Sequence, residues 1–205
     1  RFDAERGEAQ AYDGAEKVLA LCLNVEKKKG NERYWQDVLA SILGRKSAPV
    51  QDYVLGYTSG SSVTHDVGFN WVAGPKWPNK TWPRKHWEKL QDLLKGRASV
   101  SWQEGLKDLY DYMDWIHSCR VIVTNDSLGM HLAIALKKKM VVLFGPTSSK
   151  EIYLYDRGTK ILPQVSYDCM PCLASHCRQK VHCMDFIKPE KVRDAVLSLL
   201  GAKKK

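Results

Sequence analysis

The chain has 205 residues, of which 44% are hydrophobic, and this composition can bury a core and argues against intrinsic disorder. Lysine and arginine outnumber aspartate and glutamate by 32 to 23, and the formal charge of +9 favours anionic partners such as nucleotides, phosphorylated glycans, nucleic acid or an acidic membrane surface. No apolar run approaches the roughly 20 residues that cross a bilayer, and residues 1–10 contain no signal-peptide core. We therefore expect a soluble, cytoplasmic protein.

Residues 1–50 are predicted to be mainly helical. Residues 13–24 begin with the Asp-x-x-Glu pattern of a capping box and continue with apolar residues. Residues 31–43 have the pattern of a second helix, and a stretch rich in glycine, proline and serine follows. The predicted division of the chain is a helical linker over residues 1–50 and a main domain over residues 51–205.

Short apolar strands alternate with amphipathic helices from residue 66 onward. The predicted strands cover residues 66–73, 97–102, 120–124 and 140–145, and the predicted helices cover residues 82–96, 105–118, 128–138 and 189–201. Because strands joined by helices run parallel and need helices on both faces, the pattern predicts an α/β, Rossmann-like fold with a mainly parallel sheet over about residues 65–165. No G-x-G-x-x-G motif is present, which disfavours a hydride-transferring dinucleotide fold.

Ligands of open parallel sheets bind at the carboxyl ends of the strands, and four loops follow the predicted strands. They are "AGPKWPNKTWP" (73–83), "SWQEG" (101–105), "TNDSLGMH" (124–131) and "FGPTSSKE" (144–151). In the first loop, Lys80 precedes a helix, and a fixed ammonium there would neutralise a diphosphate leaving group. Lys76 is equally well explained as a solvated lysine, and Trp77 and Trp82 are interpreted as packing residues.

The third loop places Asp126, Ser127 and His131 between a strand and a helix. Asp126 or Ser127 would cap that helix by accepting hydrogen bonds from its first N–H groups. Alternatively, the positive end of the helix dipole and its unpaired N–H groups would bind a phosphate. A residue that caps a helix can also line a site, so both interpretations stay open. In the fourth loop, Thr147 and Ser148 are explained equally well as ordinary caps or as part of a ligand-binding loop.

Four of the six cysteines follow the pattern C-x2-C-x4-C-x5-C, at Cys169, Cys172, Cys177 and Cys183. This spacing is close to that of small zinc knuckles, and His176 and His182 lie between the cysteines. A cytoplasmic protein favours a metal over disulfides. A structural zinc site, disulfides and free thiols are the three states considered. The isolated Cys22 and Cys119 are expected to be buried as small apolar residues.

Three segments of the chain together carry a family resemblance. They are "GPKWPNKTWPRKHWEKL" (74–90), "VTNDSLGMHLAIALKKKMVVLFGPTSSKEI" (123–152) and "CMPCLASHCRQKVHCMDFIKPEKV" (169–192). Their residues, order and spacing resemble glycosyltransferase family 9, the lipopolysaccharide heptosyltransferases, over about residues 65–200. The resemblance implies a two-domain glycosyltransferase of the GT-B type, whose carboxyl-terminal, Rossmann-like half binds ADP-heptose.

The resemblance also implies site residues. Lys80 matches the family's phosphate-binding lysine, which would stabilise the leaving group, and Asp126 with the following backbone amides would hold the sugar and the diphosphate. His131 falls at the family's histidine, and Glu104 lies where an acidic residue meets the nucleoside. The donor-binding residues implied in this way are Gly74, Pro75, Lys80, Trp102, Glu104, Asp126, Ser127, Leu128, Gly129 and His131.

The implied reaction is the transfer of heptose, with inversion, from ADP-heptose to a lipopolysaccharide core acceptor. The family's general base belongs to a first domain, and residues 1–50 resemble the region where that domain hands over to the second. The chain begins without methionine and has no segment like the glycine-rich opening of that domain. We therefore expect a donor-binding half without its catalytic base, which would bind its donor better than it catalyses.

The family's chemistry does not depend on a metal, so a zinc ion on the four cysteines would only brace a loop. The expected partners are the nucleotide sugar, the lipopolysaccharide inner-core acceptor and, peripherally, the acidic surface of the inner membrane. Nucleic acid is not expected, because no motif for it is present. The alternative function is a nucleotide-sugar-binding or interaction module that transfers no sugar.

Overall fold

The computed structural model describes residues 2–3, 8–9, 30–42, 52, 55–105 and 108–201. The chain divides into two compact units, one formed by Arg1–Gln51 with Lys150–Tyr153 and the other by Asp52–Ser149 with Leu154–Lys205. The predicted helix over residues 13–24 and Cys22 lie outside the described residues. The functional division at residue 50 stays a prediction.

The smaller unit contains a short strand pair and one helix. Strands β1 (Phe2–Asp3) and β2 (Glu8–Ala9) pair in antiparallel fashion, which the sequence analysis did not predict. Helix α1 (Trp35–Ile42) lies inside the predicted helix over residues 31–43. The N–H of Trp35, the first residue of α1, donates to the Glu151 carbonyl at 3.0 Å, which connects this helix to the residue 150–153 segment of the same unit.

The larger unit is built on five parallel strands. These are β3 (His65–Asn70), β4 (Val100–Trp102), β5 (Cys119–Asn125), β6 (Lys139–Leu143) and β7 (Gly158–Ile161). Their order across the sheet is β4-β3-β5-β6-β7, and every neighbouring pair is parallel. The predicted parallel sheet is confirmed, and β7 is an additional strand that the sequence analysis missed.

Four α-helices connect or follow these strands: α2 (Arg84–Leu94), α3 (Leu109–Ser118), α4 (Leu128–Ala135) and α5 (Pro189–Leu200). Two short 3-10 helices cover Pro78–Lys80 and Cys183–Phe186. The helix ends follow local chemistry. The Asp108 carboxylate caps α3 by accepting from two N–H groups. Helix α5 begins at Pro189 and is terminated by the following Gly201, whose φ of 79° is the left-handed conformation that glycine favours.

Helices cover both faces of the sheet, so the unit has three layers. On one face, α2 and α5 bury an apolar cluster against alternate strand residues such as Val67, Phe69 and Val123. On the other face, α3 and α4 pack against each other and against β5. Trp82 and Trp87 are completely buried, as the packing interpretation predicted for Trp82.

Among the described residues, no helix has the length and apolar character required to span a membrane.

The strand order creates a crevice at one place on the carboxyl edge of the sheet. The chain passes from β3 to β4 on one side and then returns to β5 on the other side of β3. Connections therefore leave β3 and β5 in opposite directions, and ligands of open α/β sheets bind at such a switch point. The last residues of these two strands are Asn70 and Asn125.

Candidate functional site

A buried polar network occupies the switch point between β3 and β5. The Asn70 side-chain amide donates to Thr124 Oγ1 at 2.7 Å and to Ser127 Oγ at 3.0 Å. The Tyr112 hydroxyl, from α3, donates to Asn70 Oδ1 at 2.6 Å, and burial raises the pKa of Tyr112 to about 12. Asn70 is only 1% exposed, and both ends of its amide are used, so this network fixes the orientation of the Ser127 hydroxyl.

Replacement of Tyr112 by phenylalanine is expected to lower the free energy of unfolding by about 1–3 kcal/mol, because a buried amide oxygen loses its donor. Tyr110→Phe is the matched control, since Tyr110 lies on the same helix and is 61% exposed. Urea denaturation of both variants measures the difference. Equal stability of the two variants would show that the Asn70 oxygen does not depend on Tyr112.

The amino terminus of α4 opens into this crevice. Ser127 is the residue that flanks the first turn, and its side chain makes no capping hydrogen bond among the described residues. The capping interpretation is therefore wrong for Ser127, whose hydroxyl accepts from Asn70 instead. Within the described residues, the N–H groups of Leu128 and Gly129 at the start of α4 donate to no capping side chain. Such a helix end is suited to bind an anion.

Gly129 allows α4 to come this close to the network. A Cβ atom on Gly129 would lie 2.3 Å from Asn70 Nδ2 and 2.3 Å from the Tyr112 hydroxyl oxygen, distances that real side chains do not reach. The absence of a side chain therefore positions the helix end directly over β3. This requirement is steric, because Gly129 is part of regular helix.

Lys80 and Asp126 form an ion pair beside the same helix end. The distance from Lys80 Nζ to Asp126 Oδ2 is 2.9 Å, and the two side chains are only 20% and 13% exposed. The ammonium also lies 5.5 Å from the centre of the Trp77 ring. The N–H of Trp82 donates to Asn125 Oδ1 at 3.1 Å. This hydrogen bond ties the loop that carries Lys80, residues 73–83 (the lysine loop), to the end of β5. The structure thus brings Lys80 and the Asp126–Gly129 turn together.

His131, one turn into α4, lies close to this pair. Although the residue as a whole is exposed, desolvation by the surrounding protein lowers the pKa of its imidazole. The Asp126 carboxylate opposes this shift, and the Lys80 ammonium adds to it. A neutral imidazole at this position can accept or donate one hydrogen bond without adding charge.

Acidification is expected to destabilise the fold through His131 and His86, whose pKa values are both lowered by desolvation. The unfolded chain then binds more protons than the folded chain between pH 6.5 and the lower folded-state pKa values. The free energy of unfolding should fall as the pH decreases below 6.5. Urea denaturation at pH 7.5 and 5.5 measures this loss, which should be smaller in His86→Gln. Unchanged or higher stability at pH 5.5 would contradict the expectation.

The other implied site residues lie at the same edge of the sheet but do not contact the Lys80–Asp126 ion pair. Trp102 packs against the Arg84 guanidinium at 4.1 Å, and its ring N–H donates to Gln91 Oε1 at 3.0 Å. Gly74, Pro75 and Glu104 are exposed. Within residues 55–105 and 108–201, no hydrogen bond or ion pair links Trp102 or Glu104 to Lys80 or Asp126.

The loop after β6 contributes buried hydroxyl groups to this edge. Ser148 and Ser149 are buried, and the Thr147 hydroxyl oxygen is buried without a hydrogen-bond partner in the described part of the chain. Thr147 therefore does not cap a helix. Its role as a ligand contact stays a prediction.

The clustered cysteines are free thiols in the structure, as are all cysteines in the described residues. Burial raises the pKa of Cys183 to about 11, and the other three members of the cluster are near enough to raise it further. In the part of the chain described, however, no three Cys, His, Asp or Glu side chains are arranged to hold a metal ion. The thiols as placed do not fit a metal. Cys119 is completely buried, as predicted.

Sequence reasoning missed Asn70, Tyr112 and Thr124 as members of the site. Asn70 and Thr124 are register partners at the ends of neighbouring parallel strands. The available signal was a polar residue at the carboxyl end of an otherwise apolar strand, in "FN" and "TN". Tyr112 had no such signal, because it lies in the middle of a helix.

Part of the chain matches a known protein family. Residues 105–182 match the family described as glycosyltransferase family 9 (heptosyltransferase). The match covers less than half of the chain. The matched region contains the Asp126–His131 turn, whereas Lys80 lies before it and is brought to the turn by the fold.

Relatives with curated names are similar to part of the chain. Lipooligosaccharide heptosyltransferase 2 of Campylobacter jejuni is 39% identical over 83 residues, which are 40% of this chain and 26% of that protein. Lipooligosaccharide heptosyltransferase 2 of Haemophilus ducreyi is 35% identical over 101 residues, which are 35% of this chain and 29% of that protein. The similarity thus spans less than a third of the length of these curated relatives.

Solved structures share the fold. Escherichia coli ADP-heptose lipopolysaccharide heptosyltransferase II superposes with a TM-score of 0.52 at 22% identity, over 71% of this chain and 48% of that one. E. coli heptosyltransferase WaaC with ADP-2-deoxy-2-fluoro heptose gives 0.51 at 16%, over 79% and 53%. The iron-containing dodecameric glycosyltransferase TibC of enterotoxigenic E. coli gives 0.55 at 16%, over 78% and 51%. The chain covers about half of each structure, and at these identities the likeness establishes the fold alone.

Proposed function

We propose that this family 9 chain is the donor-binding half of a heptosyltransferase and binds ADP-heptose at the carboxyl edge of its sheet. The observation that carries the proposal is the Lys80 ammonium, fixed 2.9 Å from Asp126 beside the uncapped amino terminus of α4. An ammonium and helix N–H groups that converge at a switch point are suited to a diphosphate. Family 9 relatives named as heptosyltransferases support a sugar nucleotide as the ligand.

The proposal gives the two charged residues different parts of the donor. The diphosphate would contact Lys80 Nζ and the N–H groups of Leu128 and Gly129, because cationic and N–H donors favour an anion. Asp126 would accept hydrogen bonds from sugar hydroxyls, since a carboxylate directed at phosphate would be repelled. The ammonium would then lie between both anions, which holds the sugar and the leaving group in a fixed relation.

The proposed reaction is a displacement at the anomeric carbon with inversion. A hydroxyl of a lipopolysaccharide core acceptor loses its proton to a carboxylate base, its oxygen bonds to the anomeric carbon, and the bond from that carbon to the diphosphate oxygen breaks. Lys80 and the start of α4 stabilise the negative charge that develops on departing ADP. We assign the base to a separate domain, so the chain alone should bind donor and transfer little sugar.

We extend the proposal to the nucleoside, which would lie toward Gly74, Pro75, Trp102 and Glu104 at the ends of β3 and β4. Glu104 is exposed at that edge and could accept from ribose hydroxyls. His131 would complete the sugar side of the site as a neutral hydrogen-bonding group. The nucleoside contacts are separable from Lys80 by comparing ADP with adenosine and with pyrophosphate.

No chemical step is assigned to a metal, and a structural zinc ion on the four cysteines stays a prediction. The thiols would have to move closer together to bind one, because as placed they do not form a metal site. Elemental analysis of protein purified without chelator measures the metal content. About one zinc or iron per chain would support this brace, and four titratable thiols without metal would exclude it.

We also propose a cytoplasmic location with peripheral contact to the acidic inner membrane, where a lipopolysaccharide acceptor would be presented. The formal charge of +9 supports this contact. Sedimentation with vesicles of phosphatidylglycerol and phosphatidylcholine tests it, and binding should require the anionic lipid. Equal binding to neutral vesicles would contradict an electrostatic contact.

Calorimetric titration with ADP-heptose, ADP and UDP-glucose tests the proposed function. ADP-heptose should bind more tightly than ADP, and both more tightly than UDP-glucose. Binding of UDP-glucose in preference to ADP compounds would reject the donor assignment. Donor binding without transfer, even after a family 9 first domain is added with acceptor, would favour the non-catalytic binding module.

A further inference from the structure

We propose that Asn79 is a positioning residue, which fixes Lys80 by fastening the lysine loop to the cysteine segment, residues 167–187. This inference rests on the proposed function, because the benefit of fixing Lys80 is a phosphate contact. Asn79 does not reach the ligand itself in this proposal. It acts on the backbone turn that carries the lysine.

Asn79 is buried, unlike the residues directly before it in the lysine loop. It is 8% exposed, whereas residues 74–78 are all exposed. An amide side chain is costly to bury unless both ends are hydrogen-bonded. The Asn79 amide donates to the Ala174 carbonyl at 3.0 Å, and its oxygen lies 3.2 Å from His182 Nε2. Both partners belong to the cysteine segment, which is about 100 residues away in sequence.

The hydrogen bonds of His182 assign the direction of its contact with Asn79. The Met184 N–H donates to His182 Nδ1 at 3.2 Å, so that nitrogen is an acceptor. In a neutral imidazole the other nitrogen, Nε2, then carries the proton and donates to Asn79 Oδ1. The three residues therefore form one directed chain of hydrogen bonds from the cysteine segment to the lysine loop.

The cysteine segment is itself fixed to the sheet edge, so it can serve as an anchor. The Leu173 N–H donates to the Pro146 carbonyl, in the loop after β6, at 2.8 Å. Cys183 and Met184 pack so tightly on Gly145 that a Cβ there would lie 3.0 Å from Cys183 Sγ and 2.4 Å from Met184 Sδ. The anchor thus connects the loops after β3 and β6 on the same edge.

Lys80 is held from both sides by these contacts. Asn79, just before it, is tied to the cysteine segment, and Trp82, two residues after it, is tied to Asn125 and, through its ring N–H, to the Ile187 carbonyl at 3.1 Å. A lysine side chain is a flexible four-carbon stem, so the position of its ammonium depends on a fixed backbone. Loss of the Asn79 anchor should loosen the ammonium without removing any ligand contact.

A double-mutant cycle on the full chain tests this role. Asn79→Ala should weaken ADP binding by about 3- to 10-fold, the effect of a lost hydrogen-bond anchor, and leave adenosine binding unchanged because adenosine lacks the phosphates. In a Lys80→Ala background, Asn79→Ala should cause no further loss. Gln179→Ala is the matched control, since Gln179 is exposed in the same segment and contacts cysteines but not Asn79.

A parallel loss of ADP and adenosine binding, or an equal loss in the Lys80→Ala background, would show that Asn79 has only a structural role and would overturn the proposal.

If the parent chain does not bind ADP, the proposed function fails, and the position of the Lys80 side chain is then measured without ligand by NMR. Reductive ¹³C-methylation gives each lysine an NMR signal, with Lys80 assigned by its loss in Lys80→Ala. Asn79→Ala should move that signal and Gln179→Ala should not, and an unmoved signal would overturn the proposal.

Discussion

Lys80→Ala is expected to weaken the binding of ADP by roughly 10- to 100-fold, the effect of losing a charge-assisted hydrogen bond to phosphate. The substitution also leaves the Asp126 carboxylate without the ammonium that lies 2.9 Å away, and an unpaired carboxylate would repel the diphosphate. Adenosine should bind as before. Calorimetric titration of both ligands measures the two effects separately.

Lys76→Ala is the control, because Lys76 lies in the same loop and is exposed. Its removal lowers the net charge equally but should change ADP affinity by less than about 2-fold, since exposed charges are screened. Asp126→Asn in the Lys80→Ala background should recover part of the lost affinity by removing the repulsion. If both lysine variants bind ADP like the parent, Lys80 is not a phosphate ligand.

Gly129→Ala is expected to lower the free energy of unfolding by about 1–3 kcal/mol, the usual result of overpacking a buried site. The new methyl group would meet Asn70 and Tyr112 at 2.3 Å, and both of these side chains are held by hydrogen bonds. Relief of the clash would shift the start of α4 away from β3, so ADP affinity should fall together with stability. Urea denaturation and calorimetry measure the two losses.

Gly60→Ala provides the comparison, because a Cβ atom at Gly60 meets nothing within 4 Å. That variant should be as stable as the parent and should bind ADP equally well. A Gly129→Ala protein with parental stability and parental affinity would show that the Asn70 network rearranges without lowering the free energy of unfolding. The close approach of α4 would then have no part in forming the site.

The sheet was predictable from the sequence because its central strands are continuous apolar runs. "RVIVT" and "MVVLFG" became β5 and β6, which helices cover on both faces. Strand β7, "GTKI", was not predictable in this way, since Ile161 is its only buried residue. It forms because it pairs with the free edge of β6, and this tertiary contact has no signal in the local sequence. No pattern in residues 1–10 indicated the β1–β2 pair.

The charged members of the site were predictable, whereas its buried polar members were not. Lys80 and Asp126 stood in loops after strands, where an ion or ligand site is expected, and the fold pairs them. Tyr112 looked like an ordinary helical tyrosine, because its partner Asn70 is 42 residues away and becomes a neighbour only through the order of the strands. Asn79 was overlooked because its partners, Ala174 and His182, are also distant in sequence.

Tertiary packing decided one expectation and surrounds a residue of another with contacts that the sequence did not indicate. Ser127 precedes α4, where a helix cap was considered, but its hydroxyl accepts a hydrogen bond from Asn70 and caps no helix N–H group. Trp102 was implied as a nucleoside contact, which stays a prediction, and in the structure its ring contacts Arg84, Trp71 and Phe69. The aromatic contacts of Trp102 could not be read from spacing, since they join three elements. A nucleoside would bind beside this aromatic cluster or displace Arg84 from it.

An amide chemical-shift titration of ¹⁵N-labelled chain with ADP tests the central claim most directly, namely that the diphosphate binds where Lys80 meets the start of α4. The account predicts the largest shifts at the backbone N–H groups of Leu128 and Gly129 and at Lys80, with small shifts at the opposite edge of the sheet near Arg120 and Lys139. Largest shifts at that opposite edge, or none at Leu128 and Gly129 under saturating ADP, would contradict it.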